Sequence, residues 1–260
     1  HCCARIITFG VHLIWADDLS LDLLERFIMK RLFNSKKWMV STVLLGILVV
    51  SMLGCQADEP TSVKIGLLSP ETGPIAQFAP GFADAANVAI AELNETHAGD
   101  FTFELIIADT GCDETKAGTS AQTLVDSGVR AIAGAACSGA TQGAIAVAAP
   151  AGVPMVSYAS TSPAITTADD NGHLFRVVPS DAQQAVALVA VASAHGAANP
   201  AVLYMTNDYG AGLGDNFAAN WSGTVCTQVG YDPTEGSYDA SSLAGAVIDG
   251  GCDSVLLMSY

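Results

Sequence analysis

Ala135–Gln142, AACSGATQ, lies between Val129–Ala133, VRAIA, and Ala140–Ala149, ATQGAIAVAA. The first flank reads as a buried strand and the second as a helix, so the chain leaves a strand, turns on small residues and enters a helix. Such a turn gathers unpaired backbone N–H groups and the positive end of the helix at one place, and that place can hold an anion. Ser138 is positioned to cap the helix and to add a hydroxyl. Taken alone, the stretch fits an ordinary capped turn as well as an anion site.

Working outward, strands and helices alternate. Strands are expected at Val63–Leu68, Phe101–Ala108, Val129–Ala133, Val153–Ser157 and Leu174–Val178, with helices at Gly81–Asn94, Asp113–Ser127 and Ala140–Ala149 between the first four. The rhythm restarts with helices at Asp181–His195, Gly212–Trp221 and Ala240–Asp249 and strands at Ala201–Met205, Thr224–Val229 and Ser254–Met258. Strands separated by helices pair in parallel through right-handed crossovers, so the expected class is α/β, with two doubly wound parallel-sheet lobes. The crossing between lobes falls at Pro179–Ser180, giving lobes at 63–179 and 180–260. Because the chain stops directly after a strand, the second lobe is expected to be incomplete.

The 260 residues carry 10 Lys+Arg against 26 Asp+Glu, a formal charge of −16. That balance argues against nucleic acid or an anionic membrane surface as partner. The charge is uneven: only Lys64, Lys116, Arg130 and Arg176 lie beyond Cys55, against nearly all of the acidic residues. The head is basic and reads as a targeting signal. Met29 opens a short basic region (Lys30, Arg31, Lys36, Lys37), followed by the apolar run Trp38–Leu53, shorter than the roughly 20 residues of a bilayer span. Met52-Leu53-Gly54-Cys55 is similar to a bacterial lipobox, with Met52 and Leu53 departing from its commonest residues, which implies cleavage before Cys55 and its lipidation. Residues 29–54 are then a lipoprotein signal peptide, 55–62 a polar tether, and 1–28 an upstream segment that is untranslated or assigned from too early a start. The remainder is expected outside the cytoplasm, on the periplasmic or outer-surface side.

Six segments, VKIGLLSPETGPIAQF, ADTGCDETKAG, GAACSGATQGA, VPMVSYASTSPAIT, NDYGAGLGDNF and DSVLLMSY, in this order, resemble the leucine/isoleucine/valine-binding proteins of bacterial ABC transporters, which are type I periplasmic binding proteins. The resemblance runs from about Val63 to Tyr260. Its most specific part is a pair of cysteines just past strand ends, the second followed by Ser-x-x-Thr-Gln. It implies two lobes with a ligand in the cleft between them, where open α/β sheets bind ligands beyond their strands' carboxyl ends.

Carried over by position, the resemblance makes Ser138 a ligand for an α-carboxylate through hydroxyl and amide. Thr161 becomes a second hydroxyl and N–H donor, and Ala159 a carbonyl acceptor for the ammonium. Tyr209 and Tyr260 match rings that close over the ligand, and Phe78 stands where the family often has tyrosine. The family's acidic partner for the ammonium group would lie beyond Tyr260. Cys112 and Cys137 are implied to pair, which would stabilise by about 3.5 kcal/mol on a chain-entropy estimate, and Cys226 and Cys252 are available for a second bridge.

Three functions compete. The first is capture of a free amino acid, of the branched-chain class, for delivery to an ABC permease; the second is an amide or urea sensor of the same fold. The third is an extracytoplasmic hydrolase with Ser138 as nucleophile. A hydrolase needs a base beside the serine, yet His173 and His195 fall outside the strand-end turns and no Gly-x-Ser-x-Gly elbow occurs. The reading is therefore a binding protein and not an enzyme. No cofactor is called for, and the sequence lacks the Cys-x-x-Cys spacing of a metal site.

Overall fold

A computed structural model of the chain describes residues 60–234 and 236–260. The expected signal peptide, the segment before it and Cys55 lie outside the described residues. β1 (Thr61–Ser69) takes in Thr61 and Ser62, two residues expected in the tether, because the parallel ladder with β2 (Phe101–Asp109) begins at the pair Thr61 and Phe101. β3 (Ala131–Ala133), β4 (Met155–Ser157) and β5 (Leu174–Arg176) complete a parallel sheet in the order β2-β1-β3-β4-β5. β6 (Pro200–Met205), β7 (Thr227–Tyr231) and β8 (Ser254–Met258) form a second parallel sheet in the order β7-β6-β8. In both, the first strand has its successors on opposite sides. Loops leaving its carboxyl end and its neighbour's diverge there and open a crevice.

Helices α1 (Ala79–Thr96), α2 (Glu114–Asp126) and α3 (Ser138–Ala148) connect the first four strands. α4 (Asp181–Ala194), α5 (Asp208–Asn220) and α6 (Ala240–Asp249) serve the second sheet. The core of the first half gathers Leu68, Leu124, Ile132, Ile145 and Met155 around an α2–α3 contact made of alanines, among them Ala117, Ala121, Ala140 and Ala144. Small residues let the two helices approach until a side chain at Gly143 would collide with the Glu114 carbonyl. In the second half α4 and α5 cover one sheet face through Ala185, Leu213 and Phe217, and Trp221 stacks on Phe217 at 5.5 Å. On the other face Val255 and Leu257 remain half-exposed.

Three boundaries differ from the sequence reading for identifiable reasons. Val129 and Val153 do not extend β3 and β4, because their amides bond back to Leu124 O and Ala148 O and so close the ends of α2 and α3. α5 starts four residues early, at Asp208, because Asn207 accepts from the Gly210 amide at 2.9 Å and caps it. Gly210 lies inside this first turn, where a side chain would strike the Met205 carbonyl.

Two polar devices hold the loops at the carboxyl ends. At the outer one, Asp109 accepts from Thr72 Oγ1 at 2.8 Å, from the Thr72 and Gly111 amides, and from Lys116 Nζ at 2.6 Å, tying the loop after β1 to the start of α2. The inner one is buried. The Ala135 carbonyl accepts from Ser157 Oγ at 2.7 Å and lies 3.1 Å from Ser160 Oγ, while the Ala135 amide donates to Thr141 Oγ1 at 3.1 Å. Thr141 and Ser160 hydroxyls meet at 2.7 Å. Ser157, Ser160 and Thr141 are at most 1% exposed, so each needs these partners.

Thr141→Val keeps the shape but strands the Ala135 amide, and is expected to cost about 1–3 kcal/mol in urea unfolding. Partial burial alone would raise the Asp109 pKa, but the bonds from Lys116, Thr72 and Gly111 prevail and hold it well below the usual carboxylate range. A lowered folded-state pKa gives stability that is complete above the ordinary value of 3.8 and fades as pH falls below it. Asp109→Asn is therefore expected to cost about 1 kcal/mol at neutral pH and to flatten the acid limb of a stability–pH profile.

Candidate functional site

The loops at the carboxyl ends of both sheets line one cavity of about 340 Å³. Ile75 and Phe78 come from the segment after β1, Ala136, Cys137 and Ser138 from the turn after β3, and Ala159 and Thr161 from the turn after β4. Tyr209 follows β6, Tyr260 follows β8 and Gln184 projects from α4. All six residues singled out from the sequence, Phe78, Ser138, Ala159, Thr161, Tyr209 and Tyr260, are thus brought together, although they lie on five separate loops. Cys112 and Cys137 are bridged, with Cα atoms 5.3 Å apart, which fastens the start of α2 to the turn before α3. Cys226 and Cys252 form a second bridge with Cα atoms 5.6 Å apart, beneath the second sheet's amino ends.

Ser138 does not cap α3. Cys137 holds the cap position without a side-chain bond, and Ser138 is the first helical residue, 2% exposed. Its Oγ accepts instead from the Ser162 amide at 3.2 Å. That bond occupies a lone pair and leaves the hydroxyl proton available beside the first helical amides, which have no acceptor within the helix. Ser138 is therefore held by the neighbouring turn rather than as the cap of its own helix.

Thr161 differs from expectation. Its Oγ1 lies 2.8 Å from Asp181 Oδ2, and an ionised carboxylate can only accept, so the Thr161 proton is spent there and its lone pairs are what remain for the cavity. Asp181 opens α4 and is 0% exposed; burial raises its pKa, against the Thr161 hydrogen bond and the charge of Arg176. Its Oδ1 has no partner among the described residues. Arg176 is itself committed, donating to the Thr161 carbonyl at 3.2 Å and the Ser162 carbonyl at 2.8 Å. Tyr209 lies within the field of Asp181, and burial followed by that charge pushes its pKa up. The Tyr209 and Tyr260 rings stack at 5.5 Å with an interplanar angle of 11°, and both line the cavity.

Sequence reasoning passed over Asp181, Gln184 and Ile75. An acidic residue after Ser180 is an ordinary helix start, so nothing local marked Asp181 as buried against Thr161. No histidine is in the lining: His173 bonds the Asn171 carbonyl and His195 ends α4.

Comparison with known proteins agrees with this geometry. A family model described as periplasmic binding protein matches residues 62–260. The Leu/Ile/Val-binding protein homolog 3 of Brucella melitensis is 28% identical over 223 residues, covering 84% of this chain and 60% of the relative. The leucine-, isoleucine-, valine-, threonine-, and alanine-binding protein of Pseudomonas aeruginosa is 32% identical over 156 residues, 58% of this chain and 41% of the relative. Among solved structures, a leucine-binding protein from Thermotoga maritima superposes with a TM-score of 0.68 at 26% identity, covering 76% of this chain and 56% of that one. The branched-chain amino acid transporter substrate-binding protein LivJ of Streptococcus pneumoniae, in complex with isoleucine, gives 0.65 at 26%, covering 77% and 57%. The chain thus spans about half the length of the relatives it matches. With two parallel sheets whose carboxyl ends share a cavity, and a family match over nearly every described residue, the chain belongs to the periplasmic binding protein family and has its type I fold.

Proposed function

We propose that this protein captures a free branched-chain amino acid outside the cytoplasm and delivers it to an ABC permease, held at the membrane by a lipid on Cys55. The observation that carries the reading is the convergence of Ser138, Ala159, Thr161, Tyr209, Tyr260 and Phe78 on one cavity. Its volume, about 340 Å³, is at the small end of ligand sites and suits a single amino acid. The similarity to proteins named for leucine, isoleucine and valine binding supports the ligand class.

In this reading the α-carboxylate lies at the amino end of α3 and receives the Ser138 proton and amides of α3 and Thr161. Charge moved out of water needs such fixed donors. The ammonium group faces the Ala159 carbonyl and the Thr161 lone pairs, with Asp181 behind Thr161 supplying negative charge. Ile75, Phe78 and the paired tyrosines offer apolar surface to an aliphatic side chain.

Ser138→Ala removes a buried partner of a charged group, which costs about 2–5 kcal/mol, and is expected to weaken leucine, isoleucine or valine binding roughly 30-fold or more in calorimetric titration. Amidating the ligand's carboxylate is expected to do comparable damage. Equal affinity for acid and amide would favour an amide sensor, and sustained heat from turnover would favour a hydrolase.

A further inference from the structure

Gln142 completes the Ser-x-x-Thr-Gln pattern that begins at Ser138, one turn on along α3, yet it does not line the cavity. Its Nε2 donates to Asp208 Oδ2, across to the first residue of α5. The helices belong to different halves of the molecule: α3 follows β3 of the first sheet and α5 follows β6 of the second. The same carboxylate lies over Gly139, where an added Cβ would be 3.4 Å from Oδ2. One turn along α5, a Cβ at Gly212 would come within 3.1 Å of Pro163 and 3.2 Å of Ser162 Oγ. The amino ends of the two helices therefore meet through Gln142 and Asp208, and Gly212 lets α5 lie close against the turn after β4.

Two positive helix ends repel each other, and an anion between them removes the repulsion. Asp208 supplies that anion from within the chain, and Gln142 fixes its position. We propose that Asp208 and Gln142 form a latch that holds the two halves closed over the cavity, setting affinity without touching the ligand. The idea rests on the binding-protein reading only for its effect on affinity; its effect on closure is independent of what is bound. A protein whose binding-competent state is partly populated binds more weakly by that fraction, so loosening the latch lowers affinity for every ligand alike.

The test uses the intact protein with Asp208→Asn, which keeps the shape and loses the charge, Gln142→Met, which keeps the bulk and loses the donor, and the double variant. Distances are measured between labels on Val88 and Ile248, exposed residues of the first and second halves, attached through encoded non-cysteine residues so that both disulfides stay intact. Either single variant is expected to shift the ligand-free distribution toward the longer, open distance and to weaken leucine, isoleucine and valine binding roughly tenfold. The ratios among the three ligands are expected to be unchanged. The double variant is expected to lose no more than about threefold beyond the weaker single one, since the two groups act as a unit. Unchanged distances with unchanged affinities, additive losses, or altered ligand ratios would each overturn the latch. If the unmodified protein binds none of the three amino acids, the functional reading fails, and the distance distributions alone decide the latch. A Gly212→Val wedge, which keeps both Gln142 and Asp208 in the sequence and is expected to force the halves apart against Pro163 and Ser162, checks that the labels report closure.

Discussion

The Ala135 peptide is the point on which the site depends. Its carbonyl and amide are both taken up by hydroxyls, from Ser157 and Ser160 on the β4 turn and from Thr141 one turn inside α3. Away from water these groups have no other partners, so the turn after β3 and the turn after β4 can be satisfied only in one mutual position. That position sets Ser138, which accepts from the Ser162 amide of the facing turn. It also sets Thr161, directly between the Ser160 and Ser162 anchors. The Cys112–Cys137 bridge adds a covalent limit at the same place by tying the turn to the start of α2.

Much of this was legible in the sequence because period and punctuation survive folding. Alternating apolar runs with helical segments between them give parallel sheets, and residues just past strand ends must gather at one edge. The turn holding Ser138 could be picked out on that ground, whereas Ala159, Thr161 and the two tyrosines were named through the family resemblance; their strand-end positions are why all of them end in the same cavity. The direction of individual hydroxyls was not legible. Ser138 has the chemistry of a cap, but it lies one position inside the helix and bonds another turn. Thr161 was read as a donor to the cavity, but Asp181, twenty residues on, takes its proton. Such choices depend on which long-range partner arrives, and a local pattern carries no record of it.

The boundaries missed have the same origin. Val129 and Val153 have strand-forming side chains, and their amides are spent closing helices. The early start of α5 takes in Gly210, whose missing Cβ is what lets α5 lie against β6. Intrinsic preference lost in each case to a tertiary demand on one backbone group.

Charge explains why the site is built from hydroxyls and helix ends. The described part of the chain has few cations, and neither Lys64, Lys116, Arg130 nor Arg176 lines the cavity. Lys116 is bound to Asp109, and Arg176 gives its guanidinium to two carbonyls of the β4 turn. A carboxylate entering this cavity would therefore meet dipoles rather than a formal positive charge, and an ammonium would meet a carbonyl and lone pairs, with the buried Asp181 behind Thr161. A lone anion would gain only the first set and a lone cation only the second. A zwitterion gains both while bringing no net charge into an acidic protein, so under the proposed amino-acid-binding function discrimination would follow from the arrangement of neutral groups around a single buried carboxylate.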